Sequence, residues 1–119
     1  MENGSVKKGN AIVAKSFDFA LSIIQYTEAL EQLRKFVVAN QLLKSGTSIG
    51  ANVWEAQHAE SRADFIHKLK IAAKEATETE YWLLLCKHSQ QYPAIDDRLE
   101  MLLELQKLLT KIISSTKQK

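Results

Sequence analysis

Apolar residues recur along this chain at intervals of three and four, the repeat of a helix with one buried side. From Asn10, which can cap a first helix, Ile12, Phe19, Ile23, Tyr26 and Leu30 form one row. Val13, Phe17, Ala20 and Ile24 form a second row beside it. Phe36, Val37, Leu42, Leu43, Ile49, Val53 and Trp54 mark a second helix. No glycine or proline lies between Ala11 and Lys44, so the turn between these helices carries no local signal. It is placed near Glu28–Leu33, because one uninterrupted helix would leave its apolar face uncovered. Ser61 followed by Asp64 resembles a capping box and starts a third helix. Its core row is Phe65, Leu69, Ala72, Ala76, Thr79, Leu83 and Cys86. At about 1.5 Å per residue this helix reaches about 40 Å, and it stops before Pro93. Asp96 and Asp97 suit the start of a fourth helix, which carries Leu99, Leu102, Leu103, Leu105, Leu108, Leu109, Ile112 and Ile113.

Four such helices with short connections predict an all-α fold, an up-down antiparallel four-helix bundle. Residues 1–119 form a single domain, with residues 1–9 and 114–119 as polar, frayed tails. Composition agrees: 45% of residues are hydrophobic, and there are four glycines and one proline. That is enough apolar material for one core and too few breakers for a turn-rich β fold.

Charge narrows the function classes only a little. Sixteen basic and 14 acidic residues leave a net charge of +2, and no segment is a basic arm or an acidic tail. The one cysteine, Cys86, allows no internal disulfide and fits a reducing compartment. His88, two residues on, points to another side of the helix, so Cys86 reads as a packed thiol. No export signal and no run of about 20 apolar residues occurs, which predicts a cytoplasmic protein without a membrane span.

The oddest stretch is Ser45-Gly46-Thr47-Ser48-Ile49-Gly50-Ala51-Asn52. It lacks the lysine and the preceding strand of a phosphate loop. Gly46 and Gly50 share one helical face, and their cost of about 0.5–1 kcal/mol each must be offset by close packing against a neighbour. Glu55-Ala-Gln-His58 matches the Glu-x-x-His spacing of di-iron bundles, with Asp64-Phe-Ile-His67 as a looser copy. Such a site needs carboxylates from two further helices. Here both motifs flank one turn, and Asp64 is needed for the cap, so no cofactor or metal is expected. Glu75, Glu78 and Trp82 share a face of the third helix. A polar network joining Glu75 or Glu78 to Lys44, Ser48 or Asn52 is the expected use of these carboxylates. No nucleophile or glycine-shaped pocket for a small-molecule substrate accompanies them, so no catalytic residue is assigned. Lys68, Lys70 and Lys74, with Arg34 and Lys35, are candidate nucleic-acid contacts once several copies sum their charge.

The runs Gln41 to Ala56, Ser61 to Leu69 and Lys74 to Leu83 resemble the 23S rRNA-intervening-sequence protein family, also called the four helix bundle protein or S23 ribosomal protein family. The likeness covers about residues 11–112. It implies an up-down bundle that assembles with itself as a ring, typically a homopentamer, with no established enzymatic activity. A related branch, the accessory proteins of diversity-generating retroelements, binds nucleic acid and a reverse transcriptase. The pattern carries onto Ser48, Ile49, Asn52 and Glu55 of the second helix, and onto Phe65, Leu69, Glu75, Glu78, Tyr81 and Trp82 of the third. Lys44 stands where many relatives have arginine, and a lysine lacks the bidentate fork. The function expected is a non-enzymatic oligomeric scaffold, with RNA or DNA binding by the assembled oligomer as the alternative.

Overall fold

The computed structural model describes residues 10–118. Four helices follow one another: α1 (Ala11–Gln32), α2 (Phe36–Ala56), α3 (Arg62–His88) and α4 (Arg98–Lys117). Each packs against the next and α4 closes back on α1, while the diagonal pairs do not approach. This is the expected up-down bundle, 48 × 30 × 21 Å in extent. The expectation for residues 1–9 lies outside the described residues.

The core is built from the rows the periodicity marks. Phe19, Ile23, Leu30, Leu42, Ile49, Leu69, Leu83, Leu102, Leu105 and Leu109 are fully buried. On α3 the buried set is Leu69, Ala72, Ala76, Thr79, Leu83 and Cys86, with Phe65 half-buried against it. Cys86 is a free, buried thiol, and burial pushes its pKa upward. The second row of α1 behaves differently. Val13 is buried, but Phe17 and Ala20 are only half-covered and Ile24 is exposed.

The connections explain where the sequence reading and the fold part. The first turn is later than Glu28–Leu33: α1 continues to Gln32 because Leu30 is a fully buried core residue. The chain then reverses at Arg34, whose φ is 63°. The Arg34 N–H donates to Glu31 O at 2.9 Å, and the Lys35 N–H donates to Leu30 O at 2.9 Å. This is a Schellman close with arginine where glycine is usual, so nothing in the composition announced it. Asn10 sits at the start of α1 but makes no side-chain cap bond. Its amide instead donates to Gln57 Oε1 at 3.0 Å, tying α1 to the α2–α3 connection.

Ser61 caps α3 as its spacing predicts, its hydroxyl accepting from the Asp64 N–H at 3.0 Å. Asp64 reaches back to the Glu60 N–H at 3.3 Å, so that carboxylate is engaged. The nine-residue connection 89–97 is fastened to α1. The Tyr26 hydroxyl donates to Pro93 O at 2.7 Å. Arg98 donates through Nε to Ser22 O at 3.1 Å and lies 5.1 Å over the Tyr26 ring. Asp96 takes a positive φ of 53°, and Asp97 precedes the helix without a side-chain cap bond. The polar end of α4 is not frayed from residue 114 as expected. It stays helical to Lys117, because Ile112 and Ile113 pack on the core and Thr116 bonds back to Ile112 O at 2.7 Å.

Candidate functional site

The small-residue stretch of α2 lies against α1. A Cβ added at Gly46 would stand 2.9 Å from Ile23 Cγ2, and one at Gly50 would stand 3.2 Å from the Ser16 carbonyl oxygen. Both glycines therefore let two helices approach closely, as their spacing predicts. Ile49 and Leu69 are fully buried.

Toward α3 the buried polar link is not the expected one. Thr79 Oγ1 and Ser45 Oγ are hydrogen-bonded at 2.9 Å. Each also donates into its own helix, Thr79 to Glu75 O at 2.7 Å and Ser45 to Leu42 O at 3.4 Å. The two hydroxyls have two hydrogens for these three contacts, so one hydrogen is shared. Glu75 and Glu78 make no bond to Lys44, Ser48 or Asn52 among the described residues. The Ser45–Thr79 and Glu55–Lys68 contacts set an antiparallel register that puts Ser48 level with Glu75. The predicted residues thus share a seam without bonding across it, because Lys44 and Glu78 are exposed and water satisfies them. The Asn52 amide donates to Ser48 O on its own helix at 2.9 Å. Glu78 accepts from Trp82 Nε1 at 3.1 Å.

The metal spacing also dissolves into local contacts. Glu55 pairs with Lys68 at 2.9 Å, and that carboxylate holds the lysine above its usual range. Asp64 serves the cap, and His58 and His67 are exposed. No three His, Cys, Asp or Glu side chains come together among the described residues.

Two surface regions remain. The first is the outer seam of α1 and α2, a groove of about 180 Å³ bordered by Phe17, Ala20, Thr47, Gly50, Ala51 and Trp54, with no ionisable side chain in its lining. Phe17 and Trp54 stand 6.4 Å apart, ring centre to ring centre. Leu21, Ile24, Leu33, Phe36 and Val37 continue the exposed apolar surface toward the α1–α2 turn.

The second region is basic, and it divides the predicted cations. Arg34 and Lys35 sit in the α1–α2 turn, where Arg34 covers Phe36 and Lys35 covers Tyr92. Lys68 belongs to the far part of the bundle and is paired with Glu55. Lys70 and Lys74 are exposed on α3, and exposed Lys117 of α4 lies beside Lys70. Lys107 and Lys111 line the opposite side of α4, with Glu104 and with Ala11 and Lys15 of α1. Lys117 is close enough to push Lys70 below the usual lysine range, like charge against like. The sequence reading missed Lys117, which lies more than forty residues from Lys74 in the chain and reaches Lys70 only through the α3–α4 packing.

No helix among the described residues is long and apolar enough to cross a membrane. No curated protein is similar enough in sequence to match. A crystal structure from Bacteroides thetaiotaomicron VPI-5482, of a protein with unknown function from the S23 ribosomal protein family, is 46% identical with a TM-score of 0.81. The similarity covers 86% of this chain and 97% of that one. Residues 8–114 match the family described as 23S rRNA-intervening sequence protein. With the bundle, the Gly46–Gly50 contact and the Ser61 cap in place, this chain belongs to the 23S rRNA-intervening sequence protein family.

Proposed function

We propose that this chain is a non-enzymatic scaffold that assembles with itself through the outer α1–α2 seam. The observation that carries this reading is that uncharged groove. A bundle whose core is already complete has Leu21, Ile24, Leu33, Phe36, Val37 and Trp54 left in contact with water. Scattered exposed apolar residues are ordinary, but a run of them along one seam marks a contact surface. A ring of identical subunits, a homopentamer by the family resemblance, covers this seam on every copy. The free, buried thiol of Cys86 goes with a cytoplasmic location. Light scattering on the native protein tests the reading. A mass several times 13.5 kDa, five times for the pentamer, is expected; a monomer mass at all concentrations overturns it.

A second reading is favoured by the α3–α4 lysines. Lys70, Lys74 and Lys117 form a positive face that binds RNA or DNA phosphates, and assembly multiplies it. Arg34, Lys35 and Lys68 stand apart from this face. Retention on nucleic acid should fall steeply as salt rises; no retention at low salt ends this reading.

A further inference from the structure

We infer that the α3–α4 face takes its nucleic acid as a single strand, with Tyr81 as the platform on which a base stacks. This rests on the second reading above and adds the form of the ligand. On α3, Lys70, Lys74, Thr77 and Tyr81 follow one another at spacings of four, three and four, and all are exposed. They lie on one stripe opposite the buried row that runs from Leu69 to Cys86. Lys117 of α4 lies beside Lys70, at the end of the stripe away from Tyr81. One basic row therefore leads to one aromatic ring.

Tyr81 is 58% exposed, although a ring of its size is ordinarily turned into a core. It is also held. Its ring stands edge-on to Trp82 at 5.2 Å and 72°, and Trp82 is pinned through Nε1 to Glu78 at 3.1 Å. A ring fixed in this way loses little freedom when something stacks on it. Of the nearby carboxylates, Glu78 is engaged with Trp82, and Glu80 accepts from Gln106 Nε2 at 3.1 Å. Both carboxylates keep their charge, but neither lies on the stripe of Lys70, Lys74, Thr77 and Tyr81.

A basic track beside an exposed aromatic is what an unpaired strand requires, since each base offers a face and each linkage a phosphate. A duplex hides its base faces, and reaching one means unstacking a step at a cost of a few kcal/mol. The face lies on the opposite side of the bundle from the α1–α2 seam, so self-assembly through that seam leaves it open.

Fluorescence anisotropy with the full chain and a labelled RNA of about 20 nucleotides, single-stranded or annealed to its complement, tests this. The single strand should bind more tightly than the duplex. Tyr81→Ala should weaken single-strand binding about 5- to 150-fold while leaving the salt slope and the circular dichroism unchanged, and Tyr81→Phe should restore it. Lys70→Ala and Lys74→Ala should each flatten the salt slope by about 0.7. Single-strand binding that ignores Tyr81→Ala, or equal affinity for the duplex, overturns the inference while the basic-face reading stands. Loss of all RNA binding at low salt overturns both, as does recruitment to anionic lipid vesicles with none to RNA.

Discussion

The two long outer surfaces of this bundle are made from helices of similar length, yet they differ in kind. Along α1 and α2 the residues outside the core are Phe17, Leu21, Ile24, Phe36 and Trp54, around a groove without charge. Along α3 and α4 they include Lys70, Lys74 and Lys117 beside Tyr81, with only Leu85 and Leu103 as further large apolar residues in contact with water. The inner sides of the same helices all contribute to one core. A helix needs only a stripe of about a third of its circumference to build a core. What stands on the rest is free to serve contacts that the fold itself does not demand. The apolar surplus on α1 and α2 adds nothing to the monomer, and the lysines on α3 and α4 repel one another, as Lys117 does Lys70.

The sharpest way to break the contrast is to charge the apolar seam. Ile24→Glu with Trp54→Glu should reduce the native mass to that of one chain, with helical content unchanged by circular dichroism. Both positions are exposed, so a loss of helix would show that the seam belongs to the fold. Reversing the basic face with Lys70→Glu and Lys74→Glu should weaken nucleic-acid binding more than tenfold at low salt and leave assembly intact, read by anisotropy and light scattering.

Smaller effects test the packing beneath the seam. Gly50→Val places a side chain against the Ser16 backbone, which cannot yield as a flexible side chain can. A loss of about 1–3 kcal/mol is expected in denaturant unfolding. Gly46→Ala brings a Cβ to 2.9 Å from Ile23 Cγ2 and 3.3 Å from its Cβ. That side chain is fully buried and stiff at its branch point, so a loss of about 1–3 kcal/mol is expected here too. Thr79→Val removes the link to Ser45 inside the α2–α3 contact, and about 1 kcal/mol is expected. Arg34→Gly should stabilise the chain by a few tenths of a kcal/mol, because the φ of 63° suits glycine. A thermal melt unchanged or lowered by this substitution would assign Arg34 a contact role instead.

Much of the architecture was legible in the residues alone. The rows from Ile12 to Leu30 and from Leu69 to Cys86 repeat every three or four residues, and that short-range spacing is what makes a helix face. Ser61 and Asp64 announced a helix start because a cap is a contact between near neighbours in the chain. The close spacing of Gly46 and Gly50 likewise announced a tight helix contact, though not that α1 supplies it.

The first turn was misplaced because Arg34 carries a conformation that glycine usually signals, and only the burial of Leu30 shows how far α1 runs. The polar network around Glu75 and Glu78 was drawn on the right seam but between the wrong atoms. Facing is a matter of periodicity, whereas bonding across helices depends on register and on whether water competes.

By itself the sequence determined four amphipathic helices, one core, and the cap and close-packing positions, since these follow from contacts within a few residues. Tertiary structure decided the rest: that Thr79 meets Ser45, that Lys70 gains Lys117 as a neighbour, and that Ile24 and Trp54 stay outside. Those outcomes depend on how antiparallel helices slide and rotate against one another, and only the packing of the whole core sets that.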